Sequence, residues 1–174
     1  MKLESDNLEV TITYLEMMAQ PEGPSEKYPS VGKSISLLRA QPPSIQLYRY
    51  LYETIGEKWL WYERRELSDK LLSTIIEDPL VEIYVLHVGN KSAGYIELDR
   101  RLNPEIELAY FGLMPEFLGF GLGRWLLDSA LRISWRYQPK RVWLHTCTLD
   151  HPAALRLYKQ AGFVEYSQET KQIC

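Results

Sequence analysis

The chain has 174 residues, with 20 Lys and Arg against 23 Asp and Glu. That length suits one domain with a sizeable core, and the slightly acidic balance argues against a nucleic-acid partner, which calls for a basic surface. The N-terminus is polar, no window is apolar enough to span a bilayer, and Cys147 and Cys174 form neither a disulfide nor a metal pattern, so a cytoplasmic protein with no membrane partner and no metal is expected.

Leu8 to Met17 (LEVTITYLEM) reads as a strand, followed by a Pro-, Gly- and Ser-rich loop from Ala19 to Lys33. Ile35 to Arg39 is a further short strand. Pro42 and Pro43 break the chain, and Ser44 is placed to cap a helix that carries Leu47, Leu51 and Ile55 on one face and stops at Gly56. The segment EKWLWYERRE, Glu57 to Glu66, sets two tryptophans and a tyrosine among charges of both signs. A second helix is expected from about Leu67 to Ile76, with Leu67, Leu71 and Ile75 on one side and Pro79 closing it. Val81 to Val88 (VEIYVLHV) and Ala93 to Asp99 (AGYIELD) flank Gly89-Asn90, a two-residue hairpin signal.

Glu105 to Leu113 is apolar on both faces, as the middle strand of a sheet is, and Pro115 ends it. Gly119, Gly121 and Gly123 then alternate ahead of a helix with Leu122, Leu126, Ala130, Ile133 and Tyr137 along one stripe. Arg124, Asp128, Arg132 and Arg136 recur every four residues on another face. Alternating glycines leave backbone N–H groups uncovered, and the helix they open adds unsatisfied N–H groups and a positive dipole end. Together these make a phosphate or pyrophosphate site, or, more plainly, a turn. The P-loop string GxxxxGK[ST] is absent, and a GxGxxG reading would put its third glycine at Arg124.

Past Pro139, Arg141 to Cys147 (RVWLHTC) is a strand. Asp150 and His151 precede Pro152, which suits a helix start. That helix carries Ala154, Tyr158 and Ala161 on one face, Gly162 ends it, and Phe163 to Tyr166 begins a last strand.

Two stretches resemble the GNAT superfamily of acyl-CoA N-acyltransferases. Leu118-Gly119-Phe120-Gly121-Leu122-Gly123, after a strand and a Pro-containing elbow, resembles its motif A. LDHPAALRLYKQAGF resembles its motif B through Ala154, Leu157, Tyr158, Gly162 and Phe163. The order and spacing of the pair match over roughly Ile35 to Tyr166. Leu118 and Phe120 stand where the family usually carries polar or basic residues, and His151 where it usually carries Asn. The resemblance implies an α/β (α+β) GNAT fold: a mixed, mostly antiparallel central sheet, helices on both faces, and a splay at the central strand. It implies an N-terminal strand and loop extension over 1–34 and the acetyltransferase domain over 35–174. The activity implied is transfer of an acetyl group from acetyl-CoA, as cosubstrate, to a primary amine of a small molecule or peptide. The alternative is a coenzyme A- or partner-binding module with little or no catalysis. A monomer or homodimer is expected.

By resemblance, the backbone of Phe111 and Leu113 pairs with pantetheine, and Leu118, Gly119, Phe120, Gly121, Leu122 and Gly123 hold the pyrophosphate. Arg124 supplies the charge that Leu118 and Phe120 lack. His151 either contacts the coenzyme or only caps its helix. Tyr158 occupies the general-acid position, where a protonated phenol serves a departing thiolate; in a chain with twelve tyrosines it also reads as a core residue. Glu107 is the candidate base, sharing a face with Ala109, Phe111 and Leu113 by strand alternation if no bulge interrupts that run. His145, His87 or a water chain are alternatives, and Cys147 has no triad partners. Trp59, Trp61 and Tyr62 line the acceptor pocket or cap the core, and Glu63 and Glu66 attract a cation or are simply solvated.

Overall fold

In the computed structural model, which describes residues 8–23 and 27–173, seven strands form one sheet. The strands are β1 (Leu8–Met17), β2 (Ile35–Ala40), β3 (Val81–Val88), β4 (Lys91–Asp99), β5 (Glu105–Leu113), β6 (Arg141–Cys147) and β7 (Val164–Ile173). Their order across the sheet is β2-β3-β4-β5-β6-β1-β7, and the fourth and central strand is β5. The β5–β6 pair is parallel and the other neighbours are antiparallel.

The expected extension is part of this sheet. β1 lies between β6 and β7, with Ile12 opposite Cys147 on one side and Glu169 on the other. Its Leu15 and Met17 are in the main core. Packing therefore does not divide at residue 34: β1 supplies a strand without which β6 and β7 would not be joined.

Helices α1 (Ile45–Gly56) and α2 (Asp69–Ile76) cover one face, and α3 (Leu122–Trp135) and α4 (Ala154–Gln160) the other. Ser44 Oγ accepts from the Leu47 N–H at 3.1 Å and Ser68 Oγ from the Leu71 N–H at 3.3 Å, so side-chain caps set both starts. In α2 the buried row is Leu72 and Ile76, while Leu71, expected inside, is exposed. Rows 67/71/75 and 68/72/76 lie about 100° apart on the same short helix, and packing against Ile83 and Val85 selects the second.

The α3 stripe is wider than expected, taking in Leu127 and Leu131 beside Leu122, Leu126 and Ala130. Tyr137 lies past its end, where its hydroxyl donates to the buried Glu82 carboxylate at 2.6 Å. Arg100 and Tyr84 also donate to Glu82, and these charge-assisted bonds hold its carboxyl below the usual range against the cost of burial.

Candidate active site

β5 and β6 begin together and then separate. Glu105, Ile106 and Glu107 pair with Arg141, Val142 and Trp143, and there the ladder stops. From Leu108 to Leu113, β5 keeps β4 as its neighbour, while the side towards β6 has no strand partner among the described residues. A cavity of about 790 Å³ fills the resulting wedge. It runs from the glycine loop, along Phe111 and Leu113, to Trp61, Tyr110 and the β1 residues Val10 and Ile12.

A bulge decides which side chains face which layer. Glu97 pairs with Tyr110, but Leu98 pairs with Leu108, so Ala109 is the extra residue. Ile106, Leu108, Phe111 and Leu113 consequently all face the α3 layer. Glu107 therefore does not share the face of Phe111 and Leu113, as alternation alone predicts. It lies with Tyr110, Trp143 and His145 on the opposite one.

In the loop before α3, Gly119 (φ +87°) and Gly121 (φ +76°) are left-handed, which explains glycine at both. An added Cβ at either would meet nothing within 4 Å, so the backbone there is open to the cavity. Gly121 caps α3 with no side-chain hydrogen bond, so the first N–H groups of the helix, at Leu122 and Gly123, have no carbonyl one turn earlier to bond. Leu118, Gly119, Gly121, Gly123 and Arg124 line the cavity. Phe120 does not and is exposed; Leu122 does not and is fully buried in the core. The Arg124 guanidinium donates to the Gln160 carbonyl at 3.3 Å, which leans α3 against the end of α4.

Tyr158 lines the inner part of the cavity from α4, with its ring edge-on to Phe111 and Phe163, each at 6.1 Å. Burial, helped by the Asp150 carboxylate, pushes its phenol well above the ordinary range. Asp150 is a hub. Its Oδ2 accepts from Thr146 Oγ1 at 2.6 Å and from the Cys147 N–H at 2.9 Å, and its Oδ1 accepts from the Trp61 indole at 3.3 Å. His151 also lines the cavity, but its Nδ1 accepts from the Ala153 N–H at 3.0 Å. That nitrogen closes the turn into α4, and the ring packs on Trp59 at 5.1 Å.

Across the wedge, Glu107 Oε1 lies 3.5 Å from His145 Nδ1. The hydrogen bond to Glu107 raises the His145 pKa above its ordinary value, with burial opposing. His145 lines the cavity and Glu107 stands behind it. His87 lies on β3, away from the cavity. The aromatic segment after α1 forms the far wall: the Trp61 ring packs on Tyr52 at 5.5 Å and on Tyr110 at 5.2 Å. Tyr110 donates to Glu63 Oε2 at 2.6 Å, which places Glu63 on the cavity; Glu66 is exposed and off it. Arg64 fastens this segment to the core by donating to the fully buried Glu97 at 2.7 Å, and Tyr48 donates to the same carboxylate.

The sequence profile of the Acetyltransferase (GNAT) family matches residues 41–163, more than two thirds of the chain. The chain belongs to the GNAT acetyltransferase family. No match is found among curated proteins. Solved structures similar to it include the GCN5-related N-acetyltransferase from Sphaerobacter thermophilus (TM-score 0.65, 17% identity, covering 94% of this chain and 51% of that one). The ribosomal-protein-S18-alanine N-acetyltransferase from Escherichia coli is similar at TM-score 0.63 and 17% identity, covering 77% of this chain and 80% of that one. A functionally unknown conserved protein from Staphylococcus epidermidis matches at TM-score 0.61 and 14% identity, over 96% of this chain and 62% of that one. The chain thus spans only about half to two thirds of the length of the first and third of these structures.

Within the GNAT domain, motif A is the glycine loop with the start of α3, and motif B is α4 with its entry turn. The fold brings both to one cavity together with residues that no motif marked: Tyr52, Tyr110 and Asp150. Asp150 had a local signal, since it opens the turn before Pro152. Tyr52 and Tyr110 had none, because each reads as an ordinary amphipathic position of its helix or strand.

Proposed function

We propose that this acetyltransferase moves an acetyl group from acetyl-CoA to a primary amine by direct attack of the amine nitrogen. The observation that carries the reading is the parting of β5 and β6, which joins the glycine loop and the aromatic wall in one cavity. When bound, acetyl-CoA supplies an acetyl group already activated as a thioester. The residues fit it: open left-handed backbone at Gly119 and Gly121 suits a pyrophosphate, and the uncovered edge of β5 at Phe111 and Leu113 suits an amide-bearing arm. Arg124 adds positive charge at the same mouth. Leu118 contributes only apolar contact. Neither Phe120 nor Leu122 contributes a side chain, although the Leu122 N–H belongs to the cradle.

The reaction forms a C–N bond, breaks a C–S bond and moves one proton from nitrogen to sulfur. Burial keeps the Tyr158 hydroxyl protonated throughout the neutral range, so it is available to donate to the sulfur as negative charge develops there. His145, backed by Glu107, takes the proton from nitrogen: the hydrogen bond to Glu107 raises its pKa and makes the imidazole a stronger base. Glu107 acts through His145, orienting its ring. The purified protein incubated with acetyl-CoA and a panel of amines tests the reading through thiol release and mass of the product. Absence of coenzyme A binding in calorimetry would overturn it, and binding without transfer to any amine would favour the non-catalytic module.

A further inference from the structure

The acceptor half of the cavity has a chemical character that narrows the amine. Its wall is a set of rings in mutual contact, Tyr52, Trp61 and Tyr110, with centroids 5.1 to 5.5 Å apart. The polar atoms of these rings are already engaged. The Trp61 indole donates to Asp150, the Tyr110 hydroxyl donates to Glu63, and the Tyr52 hydroxyl accepts from the Arg64 N–H at 3.2 Å. What remains towards the cavity is ring surface, faced by Val10 and Ile12 from β1.

Two carboxylates stand at this wall: Asp150, whose oxygens already accept from Trp61, Thr146 and the Cys147 N–H, and Glu63. Glu63 is placed by Tyr110 and by Arg64, the next residue, whose guanidinium is tied to the buried Glu97. Ring faces beside a carboxylate suit an ammonium group, through ion pairing and cation–π attraction. The basic group contributed by β7 is Lys171, and its ammonium pairs with Glu169 at 2.8 Å. Among the described residues lining this half, an acceptor carboxylate would have to compete with Glu169 for Lys171, and a polyhydroxylated acceptor would leave its hydroxyls against rings and aliphatic side chains.

Building on the transferase reading, we infer that the acceptor is a monoamine with an apolar, aromatic-sized body, recognised through its ammonium by Glu63 and lacking a carboxylate beside the amine. Phenethylamine and phenylalanine form a matched pair of probes, since they differ only by that carboxylate. Kanamycin and a short peptide with a free N-terminus represent polyhydroxylated and peptide acceptors. The expected result is acetylation of phenethylamine with kcat/KM at least roughly 10-fold above the other three. Glu63→Gln should raise KM for phenethylamine roughly 10- to 100-fold, the range for losing a bond to a charged group, with KM for acetyl-CoA unchanged. Equal or better use of phenylalanine, kanamycin or the peptide would overturn the inference, as would an unaltered KM in Glu63→Gln. Calorimetry with coenzyme A separates the two levels. If coenzyme A binds and another amine of the panel is acetylated while phenethylamine is not, the acceptor class is wrong; if coenzyme A does not bind, or binds and no amine is acetylated, the transferase reading itself fails.

Discussion

Glu107 and His145 stand 3.5 Å apart across the last paired step of β5 and β6, so the ion pair sits at the apex of the wedge. One partner faces the cavity and the other does not. That division assigns proton transfer to the imidazole and orientation to the carboxylate. Other charged or titratable groups bearing on the imidazole are Tyr14 from β1, Glu63 from the aromatic segment, Asp150 from the turn before α4, and Glu169 from β7.

The pair predicts a pH effect with a definite sign. A base must be neutral to act, so the acidic limb of the kcat/KM profile reports the His145 pKa, which Glu107 raises above about 6.5. Glu107→Gln should move that limb to lower pH, because the neutral form then persists further into acid. His145→Ala should remove the limb and lower kcat by roughly 10²- to 10⁴-fold. The linkage for stability runs the same way: a raised histidine pKa adds stability below about pH 6.5 that is lost as pH climbs through the folded value. A limb that stays in place in Glu107→Gln would refute the coupling.

Tyr158→Phe keeps the ring between Phe111 and Phe163, so coenzyme A binding and melting temperature should hold close to those of the parent. The lost hydroxyl acts in the transition state, and the expected fall is roughly 10²- to 10⁴-fold in kcat with little change in KM for acetyl-CoA. A variant that melts earlier but turns over normally would return Tyr158 to the role of a core side chain.

At Gly121, φ is +76° and an added Cβ has open space. Gly121→Val should cost about 1–2 kcal/mol of stability from the left-handed backbone alone while leaving the fold intact by circular dichroism. Coenzyme A affinity should drop sharply in calorimetry, because the side chain projects where the pyrophosphate is proposed to lie. Arg124→Ala should weaken the same binding by about 1–3 kcal/mol. Unchanged affinity in both variants would move the coenzyme elsewhere.

Arg64 and Glu97 are a buried pair, with the Glu97 side chain fully enclosed. Burial pushes the Glu97 carboxyl up and the Arg64 guanidinium opposes it. Arg64→Met leaves that carboxylate without its partner and should cost about 3–5 kcal/mol in urea unfolding. The double variant Arg64→Met/Glu97→Gln should recover part of the loss, since the uncompensated charge is gone. Equal stability of the two variants would mean that the lost packing of Arg64, rather than the stranded charge, sets the cost.

The chain's local chemistry by itself determined most element limits and the two family motifs. Alternation and turn residues set the ends of β3, β5 and β6, Ser44 caps α1 where it was expected, and the glycines at 119 and 121 occupy the left-handed positions that favour glycine. These features depend on residues within a few positions of each other, so sequence carries them directly. Tertiary structure alone decided the rest. The bulge at Ala109 depends on how β5 registers against β4, and one extra residue transfers Glu107 to the other face of the sheet. The place of β1 between β6 and β7 joins residues more than 120 positions apart in sequence, and no local pattern encodes such a neighbour. The acceptor wall is of the same kind. Trp61 meets Asp150, Tyr110 meets Glu63, and Arg64 meets Glu97 only once the sheet has parted and the segment after α1 has closed over the gap. Long-range pairing and burial create those contacts, and they turn scattered aromatic and charged residues into a site.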